Sequence, residues 1–86
     1  MTDRELKEAH DHSFKNKEEI MASKGIVCYF CKMEAIPDDI DEWVKEQDGK
    51  ETAVCPSCGI DSIIGDASGL NVTPAFLEEM GRHWGP

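Results

Sequence analysis

The chain has 86 residues, with 18 acidic against 9 basic side chains and a formal charge of −9. A chain of this length forms one domain and buries only about 60% of the surface that its unfolded form exposes. Such small domains often need a metal or a partner for stability. The acidic balance argues against binding to nucleic acid, whose affinity comes mainly from Lys and Arg on phosphates, and against docking on an anionic membrane.

The N-terminal residues are polar and mixed in charge. They contain no apolar stretch that could serve as a secretory signal. The longest apolar run, 26–31, is far shorter than the roughly 20 residues of a membrane helix. We therefore expect a flexible polar arm over residues 1–15, a folded domain over residues 16–86, and a cytoplasmic protein without membrane attachment.

The folded domain is predicted to begin with a short helix and a strand. Asn16 suits the N-cap of this helix, and Glu19 stands at the third helical position, as in a capping box. The helix should end near Lys24, because Gly25 can adopt the left-handed conformation that closes a helix. Residues 25–31 then predict a strand that runs into a tight turn.

A second helix is predicted over residues 37–46. Pro37 favours the first helical position, and the acidic residues after it favour the positive end of the helix dipole. Ile40, Trp43 and Val44 would lie on one apolar face of this helix.

The C-terminal half is predicted to contain two strands, at 51–55 and 60–64, with turns at 47–50 and 65–69. A last helix should begin with Thr73 as its N-cap and Pro74 at its first position. We expect the helices to bury a common set of large apolar side chains, namely Trp43, Phe76, Leu77, Met80 and Trp84.

All four cysteines occur in two CxxC pairs, Cys28 with Cys31 and Cys55 with Cys58. A tight turn with two intervening residues aims both sulfurs at one point. Two such turns supply the tetrahedral sulfur cage that structural zinc prefers. The spacing therefore predicts one structural Zn²⁺ ion bound by all four sulfurs, which leaves no open position for catalysis.

Iron is the main alternative metal, because the residues from Cys55 to Gly59 resemble a rubredoxin knuckle. The first knuckle departs from that pattern, since Lys32 follows Cys31 where rubredoxins have glycine. Two disulfides would suit an exported protein, and a redox dithiol would suit a single CxxC motif beside a parallel strand and helix pattern. Neither description fits this sequence, so zinc is preferred.

The remaining polar signals are weaker. His10 and His12 are also candidate metal ligands. Four sulfurs already complete a tetrahedral site, however, so both histidines are expected at the surface. The segment 61–68 predicts either an ordinary turn or a small polar pocket; its polar members are Asp61, Ser62, Asp66 and Ser68. No set of residues marks a catalytic acid and base, so the protein is not expected to be an enzyme.

Several segments together resemble a family of small bacterial cytoplasmic zinc-ribbon-like proteins with two CxxC motifs. The matching segments are 12–13, 16–20, 28–31, 52–62, Trp43 and the helix that ends at Trp84. The resemblance implies a zinc-ribbon-like fold with packed helices and the four cysteines as metal ligands, but no substrate or reaction. Ile36 departs from the small polar residue that members often have before the proline of the middle helix.

We therefore expect an α+β fold in which a zinc-ribbon core of short antiparallel strands carries two to three flanking helices. The expected function is that of a zinc-stabilised protein-interaction or adaptor module with a basic protein partner. A rubredoxin-like iron electron carrier, a nucleic-acid-binding zinc ribbon and a thiol-based sensor remain as alternatives.

Overall fold

The N-terminal residues form the first of three α-helices. In this computed structural model, which describes residues 1–85, helix α1 spans Asp3–Asp11. The Thr2 hydroxyl accepts from the Glu5 amide, and the Glu5 carboxylate accepts from the Thr2 amide, which completes a capping box. Leu6 and Ala9 are buried on the inner side of this helix. The segment predicted as a flexible arm over residues 1–15 thus contains a helix whose first turn is fixed by the cap and whose inner side is anchored by two apolar residues.

Helix α2 spans Lys17–Met21, so it begins as predicted and ends before Lys24. Asn16 precedes it without making a side-chain cap. The Asn16 amide is buried instead and hydrogen-bonds to the Ile63 carbonyl and the Ala53 amide. The predicted capping box fails because this side chain has partners elsewhere in the fold.

Five short strands form two antiparallel sheets. In the larger sheet, β1 (Ile26–Cys28) lies between β2 (Glu34–Ala35) and β5 (Ile63–Gly65), with Cys28 opposite Ile63. The smaller sheet is a hairpin of β3 (Trp43–Lys45) and β4 (Glu51–Ala53). The α+β class with short antiparallel strands and three helices is confirmed. The assignment of its core as a zinc ribbon stays a prediction.

The helix predicted over residues 37–46 is wrong. Residues Pro37–Asp39 form one turn of 3-10 helix, and the chain then extends into β3. A hairpin turn causes this: the Glu46 amide donates to the Lys50 carbonyl, and Gly49 adopts a left-handed φ of 87°. Backbone pairing with β4 therefore prevails over the helical spacing of the apolar side chains.

The larger sheet separates two apolar cores, because successive residues of a strand point to opposite faces. Ile63 belongs to the first core, with Ile20, Ile26, Ile40, Ala53, Cys28 and Cys55. Ile64 belongs to the second core, with Leu6, Ala9, Tyr29, Phe76 and Met80. The two buried cysteines thus lie on the face of the sheet that carries α2 and the hairpin.

Helix α3 spans Pro74–Trp84, and the Thr73 hydroxyl accepts from the Phe76 amide as predicted. Phe76 and Met80 are buried, as expected. The other three expected core residues, Trp43, Leu77 and Trp84, are only partly buried, and Trp43 packs against the first core rather than with α3. Within residues 1–85, no helix combines the length and the apolar composition needed to span a membrane.

Candidate metal centre

The four cysteine sulfurs lie together, at distances that suit a single metal ion. All four Sγ atoms fall within 4.8 Å of one another. Two of these distances join the two knuckles: Cys28 to Cys58 at 3.7 Å and Cys31 to Cys55 at 3.6 Å. A tetrahedral zinc site with bonds of about 2.3 Å places its sulfurs about 3.8 Å apart, whereas disulfide sulfurs are about 2.05 Å apart. All four thiols are free, and the donor set fits a tetrahedral cation.

The two CxxC turns share one backbone design. In the first knuckle the Lys32 amide donates to the Cys28 carbonyl at 2.9 Å, and in the second the Gly59 amide donates to the Cys55 carbonyl at 2.9 Å. The leading sulfur of each turn accepts from the amide three residues later, at 3.3 Å in the first knuckle and 3.4 Å in the second. These amides stabilise negative charge on the sulfurs, as thiolate ligands require.

The residue after each second cysteine has a positive φ. Gly59 has a φ of 78°, which glycine adopts without steric cost, whereas Lys32 holds a φ of 66°. The sequence comparison with rubredoxin knuckles pointed to Lys32 as a departure. The structure shows that this lysine nevertheless adopts the conformation that Gly59 provides in the second knuckle.

The four ligand positions differ in burial. Cys28 ends strand β1 and is 0% exposed, and Cys55, which follows β4, is 1% exposed. Cys58 is half-buried and Cys31 is exposed. The centre is thus anchored in the first core on one side and open to solvent at Cys31.

Protonation of the thiols in the metal-free protein is uneven. Burial raises the pKa of Cys28, against hydrogen bonds that favour its thiolate. Burial and then the neighbouring thiols raise the pKa of Cys58 to about 12. Burial also opposes ionisation of Cys31, but the Met33 amide and the other three thiols outweigh it and lower its pKa to about 7. A metal must therefore displace protons at least from Cys28 and Cys58.

A fifth side chain contacts the cluster. The Ser62 hydroxyl lies 2.8 Å from the Cys28 sulfur and is fully buried. The sequence singled out Ser62 only as a member of a possible polar pocket. Its sequence distance from Cys28 gave no signal for this contact, which arises from the pairing of β1 with β5.

Two other members of that possible pocket, Asp66 and Ser68, have separate roles, and Asp61 is exposed. Asp66 accepts from the amides of Lys24 and Gly25, which holds the pKa of its carboxyl below the ordinary value. The Ser68 hydroxyl accepts from the Leu70 amide. The predicted turn at 65–69 is confirmed in the form of a 3-10 turn. The Ser68 contact is that of an ordinary turn, whereas the Asp66 contacts join this turn to the residues just before β1.

Neither N-terminal histidine joins the metal-ligand cluster found within residues 1–85. The His10 ring stacks on Trp84 with centroids 4.1 Å apart. His12 Nδ1 lies 2.9 Å from the carboxylate of Glu19. His10 thus links α1 to α3, and His12 links the end of α1 to α2.

No protein-family model, no curated protein and no solved structure matches this chain. The resemblance to small bacterial zinc-ribbon-like proteins therefore stays a prediction, and the geometry of the four cysteines carries the functional argument.

Proposed function

We propose that the protein is a small domain stabilised by one structural Zn²⁺ ion, and that it acts as a protein-interaction module. The metal site is supported by four sulfurs that come from two separate segments of the chain and lie within 4.8 Å of one another. Four protein ligands would fill a tetrahedral zinc site, which supports a structural rather than a catalytic role. The ion would join β1 to the segment after β4, and so tie the two sheets together.

Elemental analysis of protein purified from cells supplied with both zinc and iron tests the metal. We expect one zinc per chain and a colourless protein. A Cys58→Ser variant should lose the metal, whereas Ser57→Ala, at an exposed neighbour in the same knuckle, should keep it. A coloured, iron-loaded protein would support the rubredoxin-like carrier instead, and a protein without bound metal would contradict the proposal.

The proposed interaction surface is the segment between the knuckles. Its exposed acidic residues are Asp38, Asp39, Asp41 and Glu42, and none of them forms an ion pair within residues 1–85. Two large apolar side chains flank them: Ile36 is 51% exposed and Val44 is 43% exposed. Unpaired acids beside exposed apolar groups support a partner with a basic, partly apolar surface.

Charge-neutral variants test this surface. Affinity capture with the zinc-loaded wild type should recover a protein whose binding weakens at high salt. The triple variant Asp38→Asn, Asp41→Asn, Glu42→Gln should lose that protein. A control with the same charge change elsewhere, Asp3→Asn, Glu18→Gln, Glu78→Gln, should keep it. Equal capture by both variants would contradict the assignment of this surface. Recovery of nucleic acid in place of protein would favour the nucleic-acid-binding alternative.

A further inference from the structure

We propose that the Ser62 hydroxyl is a positioning group of the metal centre, which donates a hydrogen bond to the Cys28 ligand and strengthens metal binding. This inference rests on the proposed metal site. Ser62 Oγ lies 2.8 Å from Cys28 Sγ, and both residues are 0% exposed. A buried hydroxyl requires a hydrogen-bond partner, and the next candidate, the Ile60 carbonyl, lies farther away at 3.5 Å.

Metal binding fixes the direction of this hydrogen bond. A free thiol could donate to the hydroxyl or accept from it. A metal-bound Cys28 sulfur is a thiolate, which has no proton and accepts only, so the Ser62 hydroxyl must be the donor. A hydrogen bond from a neutral donor to a charged acceptor in a buried place is among the stronger ones.

The backbone holds Ser62 in place independently of its side chain. The Tyr29 amide donates to the Ser62 carbonyl at 3.0 Å, and the next residue, Ile63, pairs with Cys28 across β1 and β5. The hydroxyl is therefore presented to the sulfur by the sheet itself, and a metal does not have to draw it there.

The hydrogen bond from Ser62 distinguishes Cys28 from the other three ligands. Within residues 1–85, Ser62 is the one side chain other than a cysteine that hydrogen-bonds to a ligand sulfur. In the same part of the chain, the Cys31 sulfur, at the exposed end of the centre, has a side-chain contact only with another cysteine. Hydrogen bonds of this kind orient metal ligands, and their loss typically weakens metal affinity by about 10–100-fold.

Zinc affinity measured by competition with a chromogenic chelator tests the inference. Ser62→Ala should bind zinc about 10–100-fold more weakly than the wild type, and Ser62→Thr, which keeps the hydroxyl, should recover most of the loss. Ser13→Ala is the matched control: Ser13 is also buried, at 2% exposure, but its hydroxyl donates to the His10 carbonyl. It should keep the wild-type zinc affinity.

The cobalt-substituted protein gives a readout that a merely structural role would not change. Loss of the donor makes the Cys28 sulfur more electron-rich, so the sulfur-to-cobalt charge-transfer band of Ser62→Ala should move to lower energy. The band of Ser13→Ala should not move. Wild-type affinity together with an unchanged band in Ser62→Ala would overturn the inference.

A measurement on the wild type covers the case in which Ser62→Ala does not fold. In cadmium-113-loaded protein, the Ser62 hydroxyl proton should exchange slowly and show scalar coupling to the metal through the Cys28 sulfur. Coupling from the Cys31 amide proton without coupling from Ser62 would overturn the inference. If the wild type binds no metal at all, the proposed function itself fails; if it binds metal and only the Ser62 effects are absent, this inference alone fails.

Discussion

The Asn16→Ala variant tests how the two sheets are held together. The Asn16 side chain is 3% exposed. Its amide nitrogen donates to the Ile63 carbonyl at 2.9 Å and to the His12 carbonyl at 3.0 Å, and its oxygen accepts from the Ala53 amide at 3.0 Å. One side chain thus joins β4, β5 and the C-terminal end of α1.

The expected loss of stability follows from the groups left without this partner. Ala53 and Ile63 are both 0% exposed, so water does not replace the amide at either place. Each buried polar group left unpaired costs about 1–3 kcal/mol, so the two groups together cost about 2–6 kcal/mol, with a central value of about 4 kcal/mol. That is a large share of the roughly 5–15 kcal/mol that stabilises a small domain.

Urea denaturation of the metal-loaded protein provides the assay, with Asn71→Ala at an exposed position as the control. The control should change the free energy of unfolding by less than about 0.5 kcal/mol. At about 4–8 °C per kcal/mol for a domain of this size, a loss of about 4 kcal/mol should lower the midpoint of thermal unfolding of Asn16→Ala by roughly 15–30 °C. A loss below about 1 kcal/mol would refute the view that this side chain joins the sheets.

Three further predictions concern the knuckles, the close packing of β5 and the effect of pH. Lys32→Gly should stabilise the protein by about 0.5 kcal/mol. Glycine removes the steric cost of the left-handed φ at this position, but it also makes the unfolded chain more flexible, which offsets part of the gain. Lower stability in urea would contradict this. Gly65→Ala should cost about 1–3 kcal/mol, because its Cβ would overlap the Ser23 hydroxyl. Adding Ser23→Ala removes that oxygen but also its hydrogen bond from the Ala67 amide, so it should recover only part of the loss in the same assay; no recovery would contradict the overlap. The apparent zinc affinity near neutral pH should rise with pH, because the raised pKa values of Cys28 and Cys58 mean that zinc must displace a proton from each. Two displaced protons correspond to a rise of at least about 100-fold per pH unit. A pH-independent affinity in chelator competition would contradict this.

The candidate site was predictable because its geometry is encoded locally. Each CxxC turn closes through backbone hydrogen bonds within five residues, so spacing alone aims two sulfurs at one point. The convergence of the two turns followed from the donor chemistry that a tetrahedral metal requires. The Ser62 contact with Cys28 was not predictable, since it depends on the pairing of β1 with β5.

Parts of the fold were not predictable because they depend on distant partners. Trp43 and Val44 have helical spacing with Ile40, yet β3 forms because β4 is available to pair with it. Asn16 has the composition of a helix cap, but its amide satisfies buried groups that lie far away in the sequence. Strands of two or three residues are too short to show an alternating pattern.

The most direct test of the metal centre compares zinc-loaded and chelator-stripped protein by two-dimensional amide NMR and thermal unfolding. Structural zinc contributes about 10–16 kcal/mol in finger-type peptides, which is as large as the whole stability of a small domain. Stripping should therefore collapse the chemical-shift dispersion and abolish the cooperative transition, and one equivalent of Zn²⁺ should restore both. Stripped protein that keeps its dispersion and still unfolds cooperatively at the same temperature would contradict the account.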